Sequence, residues 1–194
     1  MGSKYRPFET GARAPVQTAA ASLVEIEMHR YRAGMPGGNA GPPTLRVALQ
    51  ADAAELAQLR YEFRSAERPA VEPREEFVAR TTTWMSERLA PGTPWRCFVA
   101  VRDGAIAGQV WITLVDKVPN PGGDEPERHA YLTNLYVRPA ARGGTGSALL
   151  EAALAWCRET RVDTVILWPT ERSRTLYARY GFDASRAFVA LSLR

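Results

Sequence analysis

Three glycines within four positions, Gly143, Gly144 and Gly146, stand between a stretch that reads as a strand and one that reads as a helix. Upstream, Leu132, Leu135 and Val137 are apolar, while Tyr131, Thr133 and Tyr136 suit a pleated surface. Pro139 ends that strand, because its ring fixes φ and it has no N–H to give a ladder. Downstream, Leu149, Leu150, Ala153, Leu154 and Cys157 recur at helical spacing. A glycine turn feeding a helix start offers backbone N–H groups at the positive end of the helix dipole, a setting that suits a phosphate or pyrophosphate. A plain tight turn would use glycine as well. Two familiar phosphate loops are excluded. No Lys followed by Ser or Thr comes after the glycines, and Leu149 stands where the dinucleotide fingerprint needs its third Gly.

The remaining composition narrows the class. A chain of 194 residues with a 45% hydrophobic and 24% charged share fits one ordinary globular domain. No apolar run approaches the roughly 20 residues that cross a bilayer. The first residues lack the charged-then-apolar order of a secretory signal, so a cytoplasmic location is the expectation. Cys97 and Cys157 are isolated in apolar surroundings and read as reduced core thiols. Two Cys and two His provide no metal-ligand spacing, so no metal is expected. The formal charge of +4 is spread among acids, with no basic run interleaved with aromatics. That pattern argues against nucleic acid and suits an anionic small molecule.

Residues 1–43 are rich in Ala, Gly and Pro and end in a linker-like GMPGGNAGPP. Within them a helix is expected over 19–32, although Val24, Ile26 and Met28 fit a strand equally well. The compact domain is expected over 44–194. It opens on a short strand, LRVAL, and then a helix with Asp52 and Glu55 as a capping pair and Leu56, Leu59 and Phe63 on one face. A second helix follows Pro73, and its stripe of Phe77, Thr81, Trp84, Met85 and Leu89 reads as core. Strands over 95–102 and 105–115 are joined by Asp103-Gly104, a strong hairpin signal. After a polar loop come the strand and helix around the glycines, then a strand over 162–167. A short helix over 173–180 follows, capped by Ser173 or Thr170 and stopped by Gly181. Phe182 and residues 187–193 would supply the last strands. The order β-α-α-β-β-β-α-β-α-β predicts a mixed α/β fold. Its central sheet is antiparallel in the first half, has a parallel pair around the glycine loop, and carries helices on both faces.

Two motifs in that order carry a family resemblance. Leu135-Tyr136-Val137-Arg138-Pro139 runs into Arg142-Gly143-Gly144-Thr145-Gly146-Ser147-Ala148-Leu149-Leu150, and Arg174-Thr175-Leu176-Tyr177-Ala178-Arg179-Tyr180-Gly181-Phe182 follows later. They resemble the strand-Val-x-Pro and Arg/Gln-x-x-Gly-x-Gly/Ala loop, and the later Leu-Tyr-x-x-x-Gly-Phe helix, of the GNAT superfamily of acyl-CoA-dependent N-acyltransferases. The resemblance covers about 44–194. One departure stands in the loop. Counting forward from Pro139 puts the family's Arg on Arg142, whereas counting back from Gly144-Thr145-Gly146 puts it on Ala141. The loop is thus one residue shorter than the pattern, a tighter turn with one amide fewer. Gly143 and Gly144, both able to take φ > 0, would compensate.

The resemblance implies an N-acetyltransferase that uses acetyl-CoA as co-substrate and a primary amine as acceptor, with a homodimer compatible with it. Tyr177 then falls on the tyrosine that protonates the leaving sulfur. Arg142, Gly143, Gly144, Thr145, Gly146 and Ser147 would hold the pyrophosphate. Leu135, Tyr136 and Val137 would offer main-chain groups to the pantetheine and the thioester carbonyl. Arg174 would reach a CoA phosphate or remain a solvated helix charge. For the proton acceptor, Glu127 and His129 before or at the start of the fourth strand and Asn134 within it stay open, together with Asp116 and Glu125. Selectivity for the acceptor is expected in 60–74 and 116–129. Two other readings share the fold: a non-catalytic acyl-CoA-binding regulator, and an acyltransferase acting on aminoacyl-tRNA.

Overall fold

The computed structural model describes residues 43–119, 121 and 126–183. The helix expected over 19–32 and the strand over 187–193 lie outside them, as does Glu125. Strand β1 (Thr44–Val47) leads through a 3-10 turn (Gln50–Asp52) into α1 (Ala53–Glu67). The expected Asp52–Glu55 capping pair does not form. Asp52 reaches backwards, accepting the Leu49 N–H at 2.7 Å and the Arg46 guanidinium at 2.6 and 2.9 Å. Glu55 accepts the Ile106 N–H at 2.7 Å and so ties α1 to the sheet. Because α1 runs on to Glu67, only residues 68–73 of the expected 60–74 segment form a loop before α2 (Arg74–Arg88).

Strands β2 (Trp95–Arg102) and β3 (Ala105–Asp116) join at Asp103-Gly104, whose φ values of 52° and 78° are those of a two-residue hairpin turn. Then come β4 (Arg128–Val137), a 3-10 turn (Pro139–Ala141), α3 (Thr145–Glu159), β5 (Thr164–Ile166) and, after a 3-10 turn, α4 (Arg174–Arg179). Ser173 does not cap α4. Its hydroxyl donates to Thr170 O at 2.9 Å inside the preceding turn. The five strands lie in sequence order, antiparallel from β1 to β4 and parallel between β4 and β5, as predicted.

Alternation along the strands divides the core. Phe98, Val110, Ile112 and Leu132 pack with Leu149, Leu150 and Trp156 of α3. On the other face Cys97, Val99 and Trp111 pack with Leu56 and Leu59 of α1 and Met85 of α2. Gly108 draws β3, β4 and α3 together, since a Cβ there would lie 3.0 Å from Tyr136 O and 3.2 Å from Leu149 Cδ1. The Gln109 side chain is wholly buried. Gln109 donates to Leu56 O at 3.3 Å and accepts the Trp111 indole N–H at 2.9 Å, so its amide is satisfied at both ends.

Candidate active site

The end of β4 is shaped by a bulge. Gln109 pairs with Tyr136 and Trp111 with Thr133, so two steps along β3 match three along β4. The extra residue is absorbed at Asn134, whose φ is 55°, a conformation Asn tolerates better than most residues. The bulge takes backbone groups of Asn134 and Leu135 out of the ladder. It also turns the consecutive residues Thr133 and Asn134 to the same side of the sheet, where both line one cavity. On the other flank of β4, β5 pairs only over His129–Tyr131 and ends at Ile166, while β4 continues to Val137. Trp168 packs edge-on against Tyr131 at 5.1 Å where the strands part. Beyond that point the β5 side of β4, including Leu135 and Val137, has no paired strand among the described residues.

The glycine loop lies directly past this opening. Gly143 and Gly144 take φ of 89° and 105°, the left-handed values foreseen for a loop one residue short. Thr145, almost wholly buried, donates its hydroxyl to Ala141 O at 2.6 Å and closes the loop onto the 3-10 turn. The first helical bond of α3 runs from Ala148 N–H to Gly144 O at 3.0 Å. The amides of Thr145, Gly146 and Ser147 precede it and stand at the positive helix end. Ala141 is buried and Arg142 exposed, so Arg142 is the cation beside the glycines. A cradle of amides beside an exposed cation fits a pyrophosphate. Arg138, by contrast, is spent on Glu62 at 2.8 and 3.0 Å and on Ile106 O. Sequence reasoning missed Arg102, whose guanidinium donates to Ala140 O at 3.3 Å and so lies beside the loop.

Tyr177 is buried against the same corner. Leu176 Cδ2 and Val137 Cγ2 each come within 3.9 Å of where a Cβ on Gly146 would sit, which places α4 over the loop and the end of β4. Gly181, with φ of 80°, ends α4 as expected. Phe182 N–H bonds Tyr177 O at 3.2 Å and Gly181 N–H bonds Ala178 O at 3.1 Å, while the Phe182 and Tyr177 rings meet edge-on at 5.4 Å. This terminus holds the Tyr177 ring in place. Burial pushes the phenol up to about 12, so it keeps its proton throughout the neutral range. Arg174 is exposed and ion-paired with Glu171 at 2.8 Å within its own turn, which favours the solvated-charge alternative.

On the α1 and α2 side of the bulge lies a cavity of about 490 Å³. Part of the α2 stripe read as core is its wall. Met85 and Thr81 are buried, but Phe77 and Trp84 face the cavity with them. Trp95 and Trp111 from the sheet complete the aromatic lining, and Trp84, Trp95 and Trp111 contact one another at 5.3 to 6.1 Å. Arg60 also lines it and donates to Asn134 Oδ1 at 3.1 Å. Burial is the main influence on the Arg60 guanidinium and lowers its pKa from the usual arginine value.

Of the expected proton acceptors, only Asn134 is brought to this cavity. His129 lies opposite Val115 and Thr164 at the start of β4, about 17 Å along the strand from Asn134, and Glu127 precedes it. His129 Nδ1 is 3.6 Å from Asp163, and Asp116 pairs with Arg128 at 3.2 Å. Among the described residues no Asp, Glu or His lines the cavity, and no cluster of metal-ligating side chains occurs. Among the described residues no helix is long and apolar enough to cross a membrane.

The profile of the Acetyltransferase (GNAT) family matches residues 56–182, from α1 through the Tyr177 helix. No curated protein matches the chain by sequence. Several solved structures share the fold. A predicted acetyltransferase of Clostridium acetobutylicum, solved with acetyl-CoA, has a TM-score of 0.65 at 23% identity, over 78% of this chain and 96% of that one. A GCN5-related N-acetyltransferase of Ralstonia eutropha has a TM-score of 0.60 at 24% identity, over 77% and 98%. An acetyltransferase of Trypanosoma brucei has 0.57 at 23%, over 78% and 99%. At such identities the likeness carries the fold alone.

Proposed function

The chain belongs to the acetyltransferase (GNAT) family, and on that premise we propose that it transfers an acetyl group from acetyl-CoA to a primary amine by direct attack in a ternary complex. The observation that carries the reading is the meeting of the glycine loop, the end of β4 beyond its pairing with β5 and the buried Tyr177 phenol around Gly146 and Val137. Acetyl-CoA supplies the activated acyl group. Amides at the start of α3, with Arg142, bind its pyrophosphate. Main-chain groups of Leu135, Tyr136 and Val137 hold the pantetheine arm, and an N–H at the bulge donates to the carbonyl oxygen as it gains charge. Tyr177 donates its proton to the leaving thiolate. The amine arrives from the other side of the bulge, through the aromatic cavity.

Among the described residues no carboxylate or imidazole stands there to accept the amine's proton. The fixed charge of Arg60 substitutes for one in part, since a like charge nearby favours the neutral, nucleophilic amine. The same lack of a base favours a second reading, an acyl-CoA-binding regulator without turnover.

Titration calorimetry tests the cofactor assignment. Acetyl-CoA is expected to bind one to one, and acetyl-pantetheine, which lacks the pyrophosphate, far more weakly. Equal affinities would remove the glycine loop from the account, and no binding of either would remove both readings.

A further inference from the structure

The cavity beside the bulge carries chemistry that narrows the acceptor. Among the described residues Arg60 makes a single hydrogen bond, to Asn134 Oδ1, and pairs with no carboxylate. A guanidinium has five N–H donors in a planar fork, so most of its capacity is unspent. A cation drawn largely out of water calls for an anion. Arg80, the second cation of the cavity, already has one, forked by Glu72 at 2.6 and 2.5 Å. Among the described residues the cavity supplies no acid for Arg60, which leaves the anion to come with a ligand.

The remaining wall is aromatic. Trp84, Trp95 and Trp111 form a contiguous cluster, and the Trp111 indole N–H is spent on Gln109 at 2.9 Å, so that ring offers only carbon. A volume of about 490 Å³ is that of a small-molecule site. Arg60 is also fixed in position, because its one bond is to the bulge residue itself. A carboxylate held by Arg60 therefore lies beside the bulge, where the acyl group is delivered, and the reacting nitrogen must sit on the neighbouring carbon.

Resting on the acyl-transfer reading above, we propose that the acceptor is a free α-amino acid with a large aromatic side chain. Arg60 binds its carboxylate in a two-pronged contact, its amine meets the thioester at the bulge, and its side chain enters the tryptophan cluster. Arg60 repels an ammonium, which disfavours polyamines and lysine side chains and favours the neutral α-amine. The amine nitrogen forms the new amide bond to the acetyl carbon, the carbon–sulfur bond breaks, the leaving thiolate takes the Tyr177 proton to become CoA thiol, and the proton lost by the amine passes through water to restore the phenol.

Matched ligands test this. L-Phenylalanine, phenylalaninamide and phenethylamine differ only in the carboxylate, and two readouts are taken: tryptophan fluorescence quenching with CoA present, and kcat/KM with acetyl-CoA. The amino acid is expected to exceed both others by roughly thirtyfold or more in each readout. Arg60→Met should bring the three within about threefold, and Arg60→Lys should fall between. Should either variant fail to fold, the wild-type comparison decides alone. Equal binding and turnover of amide and acid, or a preference that survives Arg60→Met, would overturn the proposal. Turnover of phenethylamine without preference overturns the ligand class and leaves acyl transfer standing. Preferred binding of the amino acid with no CoA released from any amine does the reverse.

Discussion

Asn134 sits in the middle of β4 with φ of 55° and accepts the Arg60 guanidinium at 3.1 Å, so one residue both makes the bulge and anchors the cation of the cavity. The two jobs separate by mutation. Asn134→Gly keeps the backbone accessible and removes the anchor, so unfolding free energy should change by less than about 1 kcal/mol while KM for the acceptor rises. Asn134→Val forces a β-branched residue into the left-handed region and should cost about 1–3 kcal/mol. Denaturant melts and steady-state kinetics on the two variants check this. Similar stability for both would show that the bulge does not depend on the residue.

Tyr177→Phe should lower kcat by about a hundredfold with acetyl-CoA affinity nearly unchanged, as for the loss of a general acid. The pH profile gives a second handle. Burial raises the phenol to about 12, so the acid form persists through the pH where an ordinary tyrosine would ionise. Wild-type kcat should therefore show no alkaline fall near pH 10 arising from this group. An unchanged kcat in the variant would remove Tyr177 from the mechanism.

The same burial acts on stability. The folded state holds the Tyr177 proton, and the Cys157 thiol proton whose pKa is also pushed up to about 12, more tightly than the unfolded chain does. Stability from these groups is complete below the unfolded values and is lost as pH rises through the window up to about 12. Urea midpoints should fall across pH 9 to 11 in this way. Cys97 is shifted upward too, by complete burial. Both thiols should be silent to an aromatic disulfide reagent in the native protein and react on unfolding. Any colour in a thiol-release assay would then come from CoA.

Gly143 has open space around it but φ of 89°, so its cost on substitution is purely conformational. Gly143→Ala should destabilise by about 1 kcal/mol and weaken acetyl-CoA binding by roughly tenfold, because relief of the strain re-aims the loop amides. Melting and calorimetry on the one variant measure both effects. Wild-type affinity would show that the loop's geometry is not what binds.

Gln109→Leu should cost about 1–3 kcal/mol, since it strands the buried Trp111 indole N–H without a partner. Thermal unfolding reports it, and a neutral result would mean that water reaches the site.

Local chemistry makes much of this structure legible in the sequence. The Asp103-Gly104 turn, the left-handed glycines 143 and 144, and the Gly181 helix stop each follow from backbone sterics acting over a few residues. The glycine loop and Tyr177 were read from spacing and resemblance, and the structure brings them to one corner. The cavity was not legible. Phe77, Trp84, Thr81 and Met85 share one helical stripe, and whether such a stripe is covered or left open depends on what packs against it in the fold, which periodicity does not encode. Arg60 lies one turn beyond Leu56 on α1 and resembles any helix charge until the sheet beneath it is known. Asn134 did carry a signal, an Asn inside an apolar strand, but it was read as a polar group rather than as a left-handed backbone position. The expected bases Glu127 and His129 failed for distance, since strand geometry carries them away from the bulge.

The most direct measurement follows CoA thiol and N-acetyl product together when acetyl-CoA and an amine are mixed with the protein. Acyl transfer predicts amine-dependent release of CoA, one for each acetylated amine, largely abolished by Tyr177→Phe. Acetyl-CoA that binds tightly while CoA release stays at the amine-free rate would contradict it.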